Sequence, residues 1–345
     1  MNAPRRVVVR GPNWLGDLVM AAPALRVVHD AWPDATVDVA VPAGLAPIVP
    51  VLSARAGALP LTPGRGVRAV LRHADQVRAG GYDLALLLTN SFASALVMQR
   101  AGVPERWGYR RDMRARLLTR AIAPRRARRV STHHADYYAA LVEALGVPRP
   151  ALEVRAEVPS DARAEALVLL REHGWDGAAP LLACAPGAAY GRAKQWPPAH
   201  VTEVVERWIA DGGAVVLVGA GADRGASAEV KTGLTASART RLVDLTGRTS
   251  LLALVGVLGV ASRALANDSG AMHVAAAIGT PTVAVFGPTR EYATAPLGPH
   301  RILTHEVWCR PCMLRECPLD HRCMTGVLPS RVLDALRDSG PPAET

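Results

Sequence analysis

The chain is poor in lysine and in aromatic rings. Lys194 and Lys231 stand alone beside 38 arginines, and Phe, Trp and Tyr together make only 4% of 345 residues. So few rings, none of them inside the Arg126–Arg129 run, leave no stacking platform for nucleic acid, and no nucleic-acid partner is expected. Long apolar runs are missing too. Leu251 to Ala261, the longest candidate, contains two glycines and falls well short of the ~20 residues a bilayer crossing needs. Low-complexity tracts are absent, which excludes a disordered or fibrous chain. Five cysteines, an odd number in a chain this long, do not describe a secreted disulfide scaffold. Arg5 and Arg6 are followed by no signal-type apolar segment with a cleavage site, so a cytoplasmic protein is expected.

Half of the residues are apolar, enough for a sizeable core, and the length suggests two domains. The formal net charge of +10 is not shared evenly. Residues 1–150 hold 21 arginines against 10 acidic residues, a net +11, whereas residues 151–345 hold 19 basic and 20 acidic residues, a net −1. Within the basic half, residues 101–129 carry ten arginines against Glu105 and Asp112. Such a block is either a solvated face or a patch for a polyanion, with nucleic acid as the weaker option and phospholipid headgroups or a phosphorylated substrate as the stronger ones.

Short β-rich apolar runs alternate with helical patterns. Strands are expected at Arg5–Arg10, Thr36–Val41 and Leu84–Leu88, with helices at Leu18–Ala31, Ser91–Ala101 and His134–Leu145. After a helix at Ala162–His173 the alternation restarts near Ala178, with strands at Leu181–Ala185, Ala214–Val218, Leu242–Leu245, Ala264–Ala266 and Thr282–Phe286. Alternation of this kind implies parallel sheets covered on both faces. The expected fold class is α/β, with two Rossmann-like domains facing across a cleft. Residues 1–170 would form the first and 178–328 the second, with a C-terminal helix and tail at 329–345 packing back on the first.

In open parallel sheets, ligands bind beyond the carboxyl ends of the strands, and three motifs fall there. Gly11-Pro12-Asn13-Trp14-Leu15-Gly16-Asp17 follows the first strand; Asp17 either caps the next helix or serves as a general base. The segment is neither a GxGxxG nor a Walker loop, so dinucleotide and phosphate-loop NTPase assignments fail. The loop Pro186–Pro197 is rich in small residues whose backbone N–H groups can approach an anion. Its Lys194, in so arginine-biased a chain, points to a compact point charge on phosphate. Asn267-Asp268-Ser269-Gly270-Ala271-Met272-His273 opens a small-residue helix, where free N–H groups and the positive end of the dipole suit a diphosphate. Asp268 or Ser269 would equally well serve as a plain helix cap.

Cys309, Cys312, Cys317 and Cys323, with His305 and His321 nearby, make a fourth constellation. Four thiolates can hold a structural zinc, but only the first pair has the usual spacing, and reduced, packed cysteines are the cytosolic default. Cys184 sits in an apolar strand and reads as core.

Taken together, Asn13–Asp17 with Pro23-Ala24-Leu25, Asn90-Ser91-Phe92, Gly102–Tyr109, Pro186–Pro197 and Asn267–His273 resemble, in order and over nearly the whole chain, the bacterial heptosyltransferases of lipopolysaccharide inner-core synthesis. The Asn-Trp opening and the segment 309–323 most resemble the branch that adds heptose to the first inner-core heptose. The branches acting on Kdo or on a later heptose, and a sugar-nucleotide epimerase of the same architecture, are the alternatives. The resemblance implies a GT-B fold, ADP-L-glycero-D-manno-heptose as donor and heptosylated Kdo2-lipid A as acceptor, with no cofactor and no catalytic metal. It implies Asp17 as general base, Lys194, Asp268, Ser269, Gly270 and His273 at the donor diphosphate, and Asp223 at the adenosine end. A Thr-Thr pair that one branch carries before the lysine is absent here, with Ala189 and Tyr190 nearby instead. Asn13, Asn90, Ser91, Arg110, Arg111, Arg114 and Arg116 are the expected acceptor-side residues. The arginines would also give peripheral contact with the anionic inner membrane at its cytosolic face.

Overall fold

The computed structural model describes residues 3–124 and 132–338. The Arg126–Arg129 run and the tail beyond residue 338 lie outside the described residues. The chain divides into two compact units at Val154 and Arg155.

The first unit is built on six parallel strands, β1 (Arg6–Arg10), β2 (Thr36–Pro42), β3 (Gly57–Leu61), β4 (Leu84–Leu87), β5 (Glu105–Tyr109) and β6 (Arg120–Ile122), in the order β3-β2-β1-β4-β5-β6. Its helices are α1 (Leu15–Ala31), α2 (Val49–Leu52), α3 (Gly66–Ala79), α4 (Phe92–Arg100) and α5 (His134–Ala144). The central strands are covered on both faces and accordingly read as unbroken apolar runs: Val7, Val8 and Val9 are fully buried and β4 is buried throughout. Helix α1 packs on α5, and α3 packs on α4.

The second unit repeats the plan with β7 (Leu181–Ala185), β8 (Ala214–Leu217), β9 (Leu242–Asp244), β10 (Arg263–Asn267), β11 (Thr282–Phe286) and β12 (His300–Thr304), ordered β12-β11-β10-β7-β8-β9 and again all parallel. Its helices are α6 (Ser160–Glu172), α7 (Pro198–Ala210), α8 (Arg224–Gly233), α9 (Ala236–Arg239), α10 (Leu251–Val260), α11 (Gly270–Ala277), α12 (Glu291–Thr294), α13 (Arg322–Thr325) and α14 (Pro329–Arg337). Read from opposite edges, the two sheets have the same strand order. Chain direction around the sheet reverses between β1 and β4 in one and between β7 and β10 in the other, which is where ligands bind in open sheets.

Two boundary expectations are corrected. Helix α6, assigned above to the first domain, packs on α10 of the second unit. Gly256 is the reason, because a Cβ there would come within 2.0 Å of the Ala162 carbonyl oxygen. The last helix, α14, packs on α7, β11 and β12, and its Val332 and Leu336 join the same buried cluster as Trp196, Val204 and Val285. Its apolar stripe is therefore buried within the second unit rather than packed back on the first.

Candidate active site

At the carboxyl edge of the first sheet, the loop after β1 delivers Asp17 to the first turn of α1. Asp17 caps no backbone group of its own helix: the N-cap residue is Trp14, whose side chain makes no capping bond. Asp17 Oδ1 instead lies 3.4 Å from Nδ1 of His134, the first residue of α5. One turn further along α5, burial and the nearby Asp17 carboxylate both push the Tyr138 phenol up. Asn13 accepts a 2.5 Å bond from the Arg10 guanidinium, which also donates to the carbonyls of Gly11 and Ala40. Burial pulls that guanidinium down to about 10.

The loop after β4, the neighbouring strand, brings in Asn90 and Ser91. Asn90 donates to the Tyr137 hydroxyl (2.9 Å), while Ser91 Oγ accepts from Ser94 N and caps α4. Arg110, Arg111 and Arg116 are exposed. Arg114 is not, and the expectation that it meets an acceptor or a membrane is corrected: it is fully buried. Its Nε donates to the Tyr109 carbonyl (2.9 Å), Nη1 to the Thr89 carbonyl and to Ser94 Oγ, and Nη2 to Asn90 Oδ1 (3.4 Å). The guanidinium ties the ends of β4 and β5 together, and burial lowers it to about 10.

The second unit brings the Pro186–Pro197 loop and the loop before α11 together where β7 and β10 lie side by side. Lys194 Nζ donates to Asp268 Oδ2 at 2.6 Å, with the two side chains 12% and 6% exposed. Thr289 Oγ1 donates to the same carboxylate oxygen at 2.7 Å. Asn267 fastens one loop to the other, accepting from Trp196 N and donating to the carbonyls of Pro186 and Gly187. Ser269 is the N-cap of α11, yet its Oγ is buried and without a hydrogen-bond partner. Gly270 opens that helix and the buried His273 lies in its first turn. Asp223 follows β8; its Oδ2 accepts from Ala220 N, and burial raises its carboxyl above the usual range. Gly187 makes room for it, since a Cβ there would sit 2.0 Å from Asp223 Oδ1.

Several contacts in these arrangements carry no sequence signal. The segment 309–323 braces the Lys194 loop: Ala193 N donates to the Arg315 carbonyl, Tyr190 Oη donates to the Met313 carbonyl, and His321 Nε2 lies 2.7 Å from the Ala193 carbonyl. Tyr190 also presents its ring to Lys194 Nζ at 4.7 Å and to the Arg315 guanidinium at 5.2 Å. Cys309, Cys312, Cys317 and Cys323 are free thiols around one small hollow of about 20 Å³. Burial and the three neighbouring thiols push Cys323 up to about 11. Among the described residues no three His, Cys, Asp or Glu side chains are grouped to hold a metal ion.

A much larger hollow, about 610 Å³, opens at the amino ends of β1, β4 and β5, lined by Trp32, Trp107, Glu105 and Arg120. It lies at the strand ends opposite to Asp17 and Asn90. Its polar groups satisfy one another: Glu105 accepts from Trp107 Nε1 and Thr119 Oγ1, and Arg120 donates to the Leu145 carbonyl.

The model of glycosyltransferase family 9, the heptosyltransferases, matches residues 70–322. The lipopolysaccharide heptosyltransferase 2 of Salmonella typhimurium is 31% identical, over 96% of this chain and 97% of its own. The lipooligosaccharide heptosyltransferase 2 of Haemophilus influenzae is 26% identical over 96% and 98%. Among solved structures, the ADP-heptose LPS heptosyltransferase II of E. coli superimposes with a TM-score of 0.82 at 29% identity, covering 96% of this chain and 97% of that one. A family 9 glycosyltransferase of Veillonella parvula, at 21% identity, shares the fold with the same score. The chain belongs to glycosyltransferase family 9 and is a glycosyltransferase of the heptosyltransferase type.

Proposed function

We propose that the chain transfers L-glycero-D-manno-heptose, with inversion, from ADP-heptose to the first heptose of heptosylated Kdo2-lipid A. The observation that carries the donor assignment is the convergence of Lys194 and the start of α11 beside a buried, unpartnered Ser269 Oγ. A hydroxyl with no partner, a cation and a helix N-terminus form a site for phosphate oxygens. Lys194 and the α11 N–H groups meet the charge that develops on ADP as the bond from anomeric carbon to phosphate oxygen breaks. Gly270 lets the diphosphate approach, His273 lies in the first turn beneath it, and Asp223 addresses the adenosine end.

Asp17 takes the proton of the acceptor hydroxyl as its oxygen bonds to the anomeric carbon from the opposite face. His134, 3.4 Å from Oδ1, orients the carboxylate. Asn13, Asn90 and Ser91 lie at the same strand ends as Asp17 and serve the acceptor sugar. Arg110, Arg111 and Arg116 face its phosphates or the membrane that displays it. No described helix is long and apolar enough to cross a membrane, and we assign the enzyme to the cytosolic face of the inner membrane as a peripheral protein.

The test is ADP release from ADP-heptose with heptosylated Kdo2-lipid A, with bare Kdo2-lipid A, and with no acceptor. Release only with the heptosylated lipid is expected. Release with bare Kdo2-lipid A would reassign the enzyme to the first transfer, and turnover without acceptor would contradict transfer altogether.

A further inference from the structure

Helix α3 turns two apolar side chains to solvent at helical spacing: Val67 is 76% exposed and Leu71, one turn on, 50%. Its other side is occupied, with Ala69, Ala74 and Val77 buried against the sheet and α4. Arg65 at the N-cap and Arg68 flank the apolar pair, both exposed and without a hydrogen bond or ion pair to another described residue. Residues 65–72 contain no acidic side chain, and Asp75, on the next turn, is paired with Arg78.

Two further apolar side chains are exposed in the segments that follow β4 and β5. Phe92, 46% exposed, begins α4, which packs on α3. Met113, 93% exposed, is held out in the loop after β5, where Asp112 and Met113 both take left-handed backbone angles (φ of 50° and 59°). All strands of this sheet are parallel, so segments that follow β3, β4 and β5 emerge at one edge, the edge that carries Asp17.

Apolar side chains standing singly among unpaired arginines do not form the contiguous groove that a protein partner fills. They match a membrane interface, where short apolar side chains enter the headgroup–acyl boundary and arginine stems extend along it to reach phosphate. The net +11 of the first 150 residues favours an anionic surface.

We infer that the outer face of α3 docks the enzyme on an anionic phospholipid bilayer. Val67 and Leu71 insert at the interface, and Arg65 and Arg68 pair with lipid phosphates. The inference deepens the proposed function, because it rests on an acceptor that is displayed on a membrane.

The test is flotation of the full chain with phosphatidylethanolamine vesicles containing phosphatidylglycerol, and with phosphatidylcholine vesicles. Wild type should float with the anionic vesicles only. The V67S/L71S double substitution should weaken that binding at least about tenfold, and ADP release with a water-soluble, deacylated acceptor should not change. Flotation of V67S/L71S equal to wild type would overturn the inference, as would wild-type binding indifferent to phosphatidylglycerol. R65Q/R68Q should also bind anionic vesicles more weakly. If it floats like wild type but loses turnover on the deacylated acceptor, the face belongs to the acceptor site and the inference fails. Failure of the transfer reading would appear separately, as no ADP release by wild type with that soluble acceptor.

Discussion

Lys194 shows why one position in so arginine-rich a chain keeps a lysine. Its ammonium fits between the Asp268 carboxylate at 2.6 Å and the Tyr190 ring at 4.7 Å, a space suited to a compact charge rather than a planar fork. The pair is nearly buried, so removing one partner strands the other. Lys194→Ala should lower stability by about 3 kcal/mol, as breaking a buried pair does, and weaken ADP-heptose binding about 10- to 100-fold through the lost charge-assisted contact. Chemical denaturation and calorimetry with ADP-heptose measure the two effects. Composition bias and position after a strand made Lys194 and Asp268 legible in the sequence. Thr289, which donates to Asp268, carries no sequence signal, and Asn267 is legible only as the start of its motif, not as the residue that fastens the two loops. Their partners lie 21 and at least 71 residues away, and no local pattern encodes such contacts.

At the scale of the element, apolar runs made the central strands legible, since strands buried on both faces have no polar alternation to hide them. The strands β3, β5, β6 and β12 carry no such signal. Pro60 interrupts β3, β5 reads Glu-Arg-Trp-Gly-Tyr, β6 has three residues, and β12 is only partly buried at its edge. The arginine block was legible as charge but not as structure. Of four neighbouring arginines, Arg114 alone is folded inward, to close the carbonyls at the ends of β4 and β5. Arg114→Ala leaves the Thr89 carbonyl without its donor and the Tyr109 carbonyl with only the Arg111 N–H, and should cost about 3 kcal/mol. Arg111→Ala, at an exposed site, should stay within about 0.5 kcal/mol of wild type. Parallel urea titrations decide between them, and equal effects would contradict the assignment.

At the scale of the whole molecule, the double alternation of strands and helices foretold two parallel α/β units, and both have the same strand order. The boundary between them was less legible. Helix α6 precedes β7 in sequence but is fixed to the second unit by its close approach to Gly256 on α10, a contact across more than 80 residues. In the proposed reaction the two units carry different chemistry: Asp17, the proposed general base, belongs to the first, and the loops proposed to hold the diphosphate belong to the second. That division is the central claim, and Asp17→Asn tests it most directly. Turnover with the heptosylated acceptor and the Kd for ADP-heptose should be measured on the same preparation. Turnover should fall about 10²- to 10⁴-fold, while the donor Kd stays within about twofold of wild type. Undiminished turnover, or a loss of donor binding that matches the loss of rate, would contradict it.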